Sequence, residues 1–168
     1  MIIRFLIFVF CILSCSSCHR KRVLPVMTEF ETKNMDDAFR LRGKCVTSLD
    51  SLLRGKDKSA NVVFLFNFYD CGSCIDSGFQ LVKRMDELYE RKFVPIISTM
   101  GSPAFYQSRN QYFEYIYSDN NDLIRKELKY VQTPVILRLD SNRVILDYFF
   151  PNISDDEEYV RFFSPLGL

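Results

Sequence analysis

Residues 61 to 76 of the chain read NVVFLFNFYDCGSCID. A run of apolar, β-favouring residues ends abruptly at Cys71-Gly72-Ser73-Cys74, after which a helical pattern of apolar residues begins. Two cysteines separated by two residues, where a buried strand gives way to a helix, describe a dithiol at a helix N-terminus. The partial positive charge of the unpaired N–H groups there favours a thiolate. The sequence therefore predicts a reactive cysteine pair.

The composition is that of a globular protein. The 168 residues are 48% apolar and 26% charged, which suffices for one domain with a substantial core. The net charge is only +1 and no basic face with interleaved aromatics is visible, so nucleic acid is excluded as a partner. The single histidine, His19, lies near the N-terminus, outside any expected core. Hydrolases that depend on a histidine base are therefore poor candidates.

The first 14 residues have the features of an export signal. Arg4 precedes an apolar run of nine residues, which is well short of the about 20 residues that span a bilayer. The sequence Ile12-Leu13-Ser14-Cys15 resembles the lipobox of bacterial lipoproteins. This resemblance implies a signal peptide over residues 1–14, lipid on Cys15, a tether over residues 15–35 and a folded domain over residues 36–168. The expected location is the cell envelope, lipid-anchored and facing the periplasm or the exterior.

An uncleaved signal-anchor is the alternative. The apolar run would then extend to Cys18, and the basic cluster Arg20-Lys21-Arg22 would keep the domain in the cytoplasm. The difference matters for the chemistry, because a dithiol outside the cytoplasm must be maintained against oxidation.

Strands and helices alternate along the rest of the chain. This order predicts an α/β fold with a mixed central sheet. Pro95 inside the second strand favours an edge position or an irregular strand. The predicted helices cover residues 46–54, 75–91, 102–112, 120–130 and a final segment from 154; the predicted strands cover 61–69, 93–98, 113–117, 135–139 and 143–150.

A threonine–proline pair, Thr133-Pro134, opens the fourth strand. Proline removes a ladder donor from a strand that otherwise looks central, and a cis peptide bond would explain its presence. A strand ending in CxxC, a helix, and a later Thr-Pro that leads into a hairpin and a final helix resemble the thioredoxin fold. That fold is a three-layer α/β arrangement with a central mixed sheet and helices on both faces. The resemblance covers about residues 46–168.

The lipobox and an extra strand–helix pair make the chain similar to membrane-tethered thiol–disulfide oxidoreductases of the TlpA/ResA type. This similarity implies protein disulfide substrates, an upstream thiol electron donor, and no metal or organic cofactor. Cys71 would attack the substrate as a thiolate, and Cys74 would resolve the mixed disulfide. Pro134 would face the pair, and the backbone at Thr133 would dock the substrate chain as an added strand.

The chain departs from the family at several positions. It contains no tryptophan, Asp70 replaces the usual one before the first cysteine, and Leu65 replaces a buried acid. We expect the charge of Asp70 to raise the pKa of Cys71 and oppose the helix-start effect. Gly72 and Ser73, the latter in place of a common proline, are expected to tune the same pKa. The expected couple is reducing rather than strongly oxidising.

Other interpretations of the cysteine pair stay open. It could be a structural disulfide, or half of a zinc site, although only Cys45, Cys18 and His19 remain as further ligands. A redox-inert thioredoxin-fold lipoprotein that binds a protein partner is the main competing function.

Three smaller expectations concern packing. Cys45 is expected to be a small buried residue, with a bridge to Cys18 as the alternative. Ser154 is expected to form a capping box with the acidic run at 155–158. Core packing is expected for five aromatic residues, namely Tyr106, Tyr112, Phe113, Tyr115 and Tyr117.

Overall fold

The structure is a computed structural model, and it describes residues 40–90, 93–151, 154 and 156–167, with Lys56 described by its backbone alone. The predicted signal peptide, the lipidation site Cys15, the tether, Cys18 and His19 lie outside the described residues. None of the helices within these ranges is long and apolar enough to cross a membrane.

A mixed sheet of five strands, in the order β3-β2-β1-β4-β5, is the centre of the described region. Strands β1, β2 and β3 are parallel, β4 is antiparallel to β1, and β5 is antiparallel to β4. All six residues of β1 are buried, as its continuous apolar run predicts. The strands are β1 (Val62–Asn67), β2 (Ile96–Thr99), β3 (Ile116–Asp119), β4 (Val135–Leu139) and β5 (Ile145–Phe149).

Helices cover both faces of this sheet. They are α1 (Leu49–Leu52), α2 (Gly72–Leu88), α3 (Ala104–Arg109), α4 (Leu123–Glu127) and α5 (Asp156–Phe163), with 3-10 helices at Gly55–Ser59 and Ser164–Leu166. Because side chains alternate along a strand, Phe64 of β1 packs into one core cluster with α2 and α5. Leu65 packs into the other cluster, with α1 and α4. The predicted three-layer α/β arrangement is confirmed.

Pro95 does not mark an edge strand, so that prediction is wrong. Strand β2 begins one residue after Pro95 and pairs with β1 on one side and β3 on the other. Pro95 therefore removes no hydrogen-bond donor from the strands of the sheet. Its carbonyl accepts a hydrogen bond from Phe64 N at 3.0 Å.

The packing expectations for the five aromatic residues and for Cys45 are also wrong, the former only in part. Phe113 and Tyr115 are 83% and 59% exposed, because they precede the edge strand β3 instead of lying in it, whereas the other three aromatics are buried. Cys45 is an exposed free thiol, whose Sγ donates to the carbonyl of Asn142 at 3.4 Å. The hydroxyl of Ser154 accepts a hydrogen bond from Phe150 N at 3.2 Å, and Asp155 lies outside the described residues.

Helix α2 is held closely against β1 by a glycine. A Cβ atom at Gly78 would lie 2.2 Å from Cζ of Phe64, so only glycine allows this approach. The ring of Phe79, one residue on, meets the rings of Phe64 and Phe66 edge to face, each at 5.7 Å between centroids. This packing fixes the first turn of α2 at the carboxyl end of β1.

Candidate active site

The two cysteines lie where β1 passes into α2. Helix α2 begins at Gly72, three residues before the predicted helix over 75–91, and Cys71 is its N-cap residue. The carbonyl of Cys71 accepts the first helical hydrogen bond, from Ile75 N at 3.0 Å. Cys71 is exposed, Cys74 is half-buried in the first turn, and neither sulfur is in a disulfide bond.

The pKa of Cys71 is lowered from 9.0 to about 7. The largest cause is a hydrogen bond from the Cys74 side chain, followed by one from the Ser73 hydroxyl, whose Oγ lies 3.1 Å from Cys71 Sγ. The backbone N–H groups of Cys74 and Ser73 act in the same direction, and slight desolvation opposes them. The net shift is therefore downward, as the helix start predicts, and the opposing effect expected of Asp70 stays a prediction.

The carboxylate of Asp70 is hydrogen-bonded to groups other than Cys71. Its Oδ2 accepts a hydrogen bond from Asn67 N at 2.8 Å, and the side chain of Thr133 donates a second one. Burial nevertheless raises the pKa of Asp70 above its ordinary value. Asp70 thus bridges the loop after β1 and the segment before β4.

Thr133 and Pro134 lie at the same end of the sheet as the cysteines, namely the carboxyl end of β1. The peptide bond between them is cis, Pro134 is buried and Thr133 is half-buried. Val135, the first residue of β4, pairs with Leu65 near the carboxyl end of β1. The antiparallel register therefore brings Thr133 and Pro134 beside the segment that leads into Cys71.

An ion pair that the sequence analysis missed lies next to Gly72. A Cβ atom on Gly72 would be 3.7 Å from Nη1 of Arg109, so the guanidinium lies against the start of α2. Arg109 donates to Oδ2 of Asp76 from Nε at 3.0 Å and from Nη2 at 2.5 Å. Asn110 donates to the other carboxylate oxygen at 3.0 Å. The predicted effect of Gly72 on the cysteine pKa stays a prediction.

Metal ligation has no visible basis in the part of the chain that the structure describes. No group of three or more His, Cys, Asp or Glu side chains there is arranged to hold a metal ion. The chemistry available at this edge of the sheet is that of the two thiols and the hydrogen-bonding groups around them.

Comparison with solved structures settles the fold. A candidate thiol:disulfide interchange protein DsbE from Chlorobium tepidum matches 75% of this chain and 96% of its own, with a TM-score of 0.53 and 16% identity. This chain has a thioredoxin-like fold. The thioredoxin-like domain is also similar to a thiol-disulfide isomerase from Corynebacterium glutamicum, with a TM-score of 0.48, 17% identity, and coverage of 68% of this chain and 85% of that one.

A candidate thioredoxin from Neisseria meningitidis gives a TM-score of 0.49 at 12% identity, over 67% of this chain and 79% of that one. No model of a known protein family matches the sequence, and no curated protein matches it either. The match to the Chlorobium tepidum structure, at 16% identity, establishes the thioredoxin-like fold alone, because one fold can host many activities.

Proposed function

We propose that this protein is a thiol–disulfide oxidoreductase that reduces disulfides of other proteins through Cys71 and Cys74. The observation that carries the proposal is an exposed thiol with a pKa of about 7 that is hydrogen-bonded by a second thiol. A thiolate, and not a thiol, attacks disulfides, so the lowered pKa makes Cys71 reactive near neutral pH.

The reaction has two exchange steps. The Cys71 thiolate attacks one sulfur of the substrate disulfide, so a mixed disulfide forms while the substrate S–S bond breaks and its other sulfur leaves as a thiolate. Cys74 then loses its proton to solvent and attacks the Cys71 sulfur, which releases the second substrate thiolate and forms the Cys71–Cys74 disulfide. The substrate gains two electrons, the protein loses two, and an upstream dithiol donor returns them.

Thr133 is the proposed docking point for the substrate chain. An extended substrate segment would pair with its backbone as an added strand. Two features support this role: its position before β4 at the carboxyl end of β1, and the hydrogen bond that ties its side chain to Asp70.

The pKa of Cys71 supports the reducing direction. A Cys71 pKa of about 7 resembles that of thioredoxin, about 7, and differs from that of the oxidant DsbA, about 3.5. A less acidic thiol stabilises the reduced form less, which makes the couple less oxidising. Equilibration with glutathione buffers should give a potential nearer about −270 mV than about −120 mV, and a value near the latter would reverse the proposed direction.

A lipid anchor on Cys15 is the second part of the proposal. Removal of residues 1–14 would expose Cys15 for lipid attachment, and residues 15–35 would tether the domain at 36–168 to a bacterial membrane, facing the periplasm or the exterior. The lipobox-like sequence ending at Cys15 supports this assignment. Cys15→Ser should abolish the lipid-modified N-terminal peptide in mass spectrometry. An intact N-terminus that begins at Met1 would instead favour the signal-anchor.

Trapping tests the exchange reaction directly. Cys74→Ala should accumulate mixed disulfides with client proteins, because Cys71 can still attack but nothing resolves the product. The matched control is the double variant Cys71→Ala/Cys74→Ala, which keeps the exposed thiol of Cys45 and should lose the adducts that form at Cys71. The proposal fails if the two variants give the same set of thiol-reversible adducts.

A further inference from the structure

A cavity lies at the end of the sheet that is opposite to the cysteine pair. Its volume is about 870 Å³, which is within the range of sites that bind small organic molecules. Its wall includes Val62, the first residue of β1, and Leu139, the last residue of β4, whereas Cys71 follows the other end of β1. Leu146, also in the wall, is 48% exposed, so the cavity can be reached from solvent.

The rest of the apolar wall is held in place by packing. Phe93, from the segment before β2, and Leu166, from the last 3-10 helix, complete it. The ring of Phe93 stacks on that of Tyr89 at 4.1 Å between centroids, and the Tyr89 hydroxyl donates a hydrogen bond to the carbonyl of Leu166. Apolar side chains from several segments of the chain therefore converge on a surface that is formed before any ligand arrives.

Arg138 supplies the positive charge of the cavity, and no other Lys or Arg among the described residues lines it. The Arg138 side chain is 23% exposed, and its Nη2 lies 3.5 Å from Oδ2 of Asp147. Its Cζ lies 5.9 Å from the centroid of the Phe162 ring. Nε of Arg138 is buried and has no hydrogen-bond partner within the described ranges, although a guanidinium can donate five hydrogen bonds.

Asp147 is shared among too many cations to neutralise Arg138. It also lies 2.8 Å from Nη2 of Arg42 and 3.3 Å from Nε of Arg161. Arg161 has a second partner in Glu158, at 3.8 Å. Three guanidinium groups thus meet two carboxylates, and the excess of one positive charge lies beside the cavity. A buried, incompletely paired guanidinium is a favourable partner for an anion.

We propose that this cavity binds a single-chain aliphatic carboxylate, with the carboxylate on Arg138 and the chain against the apolar wall. The bound carboxylate would supply the hydrogen-bond acceptor that the guanidinium lacks. A cavity of this volume with an apolar wall has room for an alkyl chain, which an inorganic anion does not provide. A dianion such as phosphate is disfavoured, because the wall also carries the Asp57 carboxylate, which accepts a hydrogen bond from the Tyr117 hydroxyl.

Isothermal titration calorimetry with four soluble probes tests the ligand class. The full-length protein is held in nanodiscs of phosphatidylcholine, and empty nanodiscs provide the blank that subtracts partition into lipid. The probes are decanoate, decyltrimethylammonium, acetate and inorganic phosphate. We expect decanoate to bind about tenfold more tightly than decyltrimethylammonium, which has the same chain and the opposite charge. Acetate and phosphate, which lack the chain, should give no saturable binding.

Variants of the wall locate the site. Arg138→Gln should weaken decanoate binding about tenfold, and Arg138→Lys, which keeps the charge, should weaken it less. Arg42→Gln is the matched control, because it removes another partner of Asp147 without touching the cavity wall, and it should keep the wild-type affinity. Leu146→Asp should also weaken binding about tenfold, by placing a negative charge in the wall. Leu123→Asp, at a 41% exposed leucine of α4 outside the wall, should not.

The outcomes decide the proposal without reference to the exchange reaction at Cys71. Decanoate binding that weakens in Arg138→Gln and Leu146→Asp and persists in their two controls supports it. Leu146→Asp and Leu123→Asp suffice for the decision if Arg138→Gln does not fold. The proposal is overturned by equal affinities for decanoate and decyltrimethylammonium, by a decanoate affinity that the wall variants leave unchanged, or by no saturable binding of decanoate to the wild type.

Discussion

Cys71 owes its low pKa to hydrogen bonds from its own helix turn. The donors are the side chains of Cys74 and Ser73 and the backbone N–H groups of the same two residues. Each of them stabilises the thiolate and leaves the neutral thiol nearly unaffected. The helix start therefore does more than supply a diffuse positive potential, because it places specific donors around one sulfur atom.

The pH dependence of Cys71 reactivity follows from these donors. Alkylation of Cys71 should rise with pH around a midpoint of about 7, since only the thiolate reacts. Ser73→Ala removes the hydroxyl 3.1 Å from the sulfur and should move the midpoint upward, towards the ordinary value of 9.0. Peptide mass spectrometry measures the rate at each pH. Ser77→Ala, one turn further along α2, is the control and should leave the midpoint in place.

Asp70 supports a second residue-scale prediction. Asp70→Ala removes the hydrogen bond that the carboxylate accepts from Asn67 N and the one that it accepts from the Thr133 side chain. This loss should lower the free energy of unfolding by about 1–3 kcal/mol. Asp70→Asn keeps an acceptor oxygen and should cost less. Urea denaturation measures the difference.

The alkylation midpoint of Cys71 is the decisive control for these variants. It should stay at about 7 in both, because the hydrogen bonds that lower it come from Cys74 and Ser73. A midpoint that falls in Asp70→Ala would show that the carboxylate does raise the cysteine pKa, as its place in the sequence suggests. Sequence proximity could not settle this, because it does not say which way a carboxylate turns.

At the scale of elements, the strand–helix unit of β1 and α2 is the most predictable part of the fold. Its continuous apolar run and helical spacing gave the correct elements and the correct burial of β1. The helix ends at Leu88 and not near residue 91, because Glu90 adopts a left-handed backbone with φ 51°. Nothing in the local pattern of apolar residues signals that conformation.

The contact of α2 with β1 through Gly78 can be tested by overpacking. Gly78→Ala places a methyl group 2.2 Å from the Phe64 ring and should lower the free energy of unfolding by about 1–3 kcal/mol, measured by urea denaturation. Phe64→Leu in the same chain should recover part of the loss, because it removes the clashing ring edge. Additive effects of the two substitutions would contradict the contact.

Short helices were predicted too long for an identifiable reason. Helix α4 covers only Leu123–Glu127 within the predicted 120–130. It begins where buried Asp119, at the end of β3, accepts the N–H groups of Leu123 and Ile124, both at 2.9 Å. It ends before Lys129 and Tyr130, which have positive φ values. Such limits come from the position of α4 next to the sheet, which periodicity does not report.

On the scale of the whole molecule, Asp147 of β5 joins distant parts of the chain. Its buried carboxylate lies 2.8 Å from Nη2 of Arg42, 3.5 Å from Nη2 of Arg138 and 3.3 Å from Nε of Arg161. These arginines come from the segment before α1, from β4 and from α5. Burial raises the pKa of Asp147, but hydrogen bonds from Arg42 and the Tyr148 backbone, together with the charges of Arg42 and Arg161, outweigh it and lower the pKa below its ordinary value.

Loss of this charge should destabilise the fold in a pH-dependent way. Asp147→Asn should lower the free energy of unfolding by about 3 kcal/mol at pH 7, because it leaves three guanidinium groups without their shared anion. The folded-state pKa is lowered, so the stabilisation is complete above the ordinary carboxyl pKa of 3.8 and is lost as the pH falls through the lower folded-state value.

Urea denaturation over a range of pH values measures this effect. The difference between wild type and Asp147→Asn should therefore shrink in acid. Glu87→Gln, an exposed carboxyl-to-amide change on α2, is the control and should have little effect at any pH. A constant difference across the pH range would contradict the role assigned to Asp147.

The order of elements predicted the overall topology, whereas the contacts that join distant segments could not be predicted. The carboxylate of Glu127 accepts the N–H groups of Thr47 and Ser48, at 2.8 and 2.9 Å, across about 80 residues of chain. Arg109 and Asp76 pair across 33 residues beside the cysteines. Neither pair has a local spacing that identifies it, so only the folded chain reveals them.

Catalysed reduction of insulin disulfides with dithiothreitol as the electron donor tests the central claim most directly. The comparison is between the wild type, Cys71→Ser and Cys45→Ser, which removes the exposed free thiol outside the site. We expect the wild type and Cys45→Ser to accelerate reduction equally above the rate with dithiothreitol alone, and Cys71→Ser to fall to that background. A wild-type rate no higher than that of Cys71→Ser would contradict the assignment of Cys71 and Cys74 as a redox-active pair.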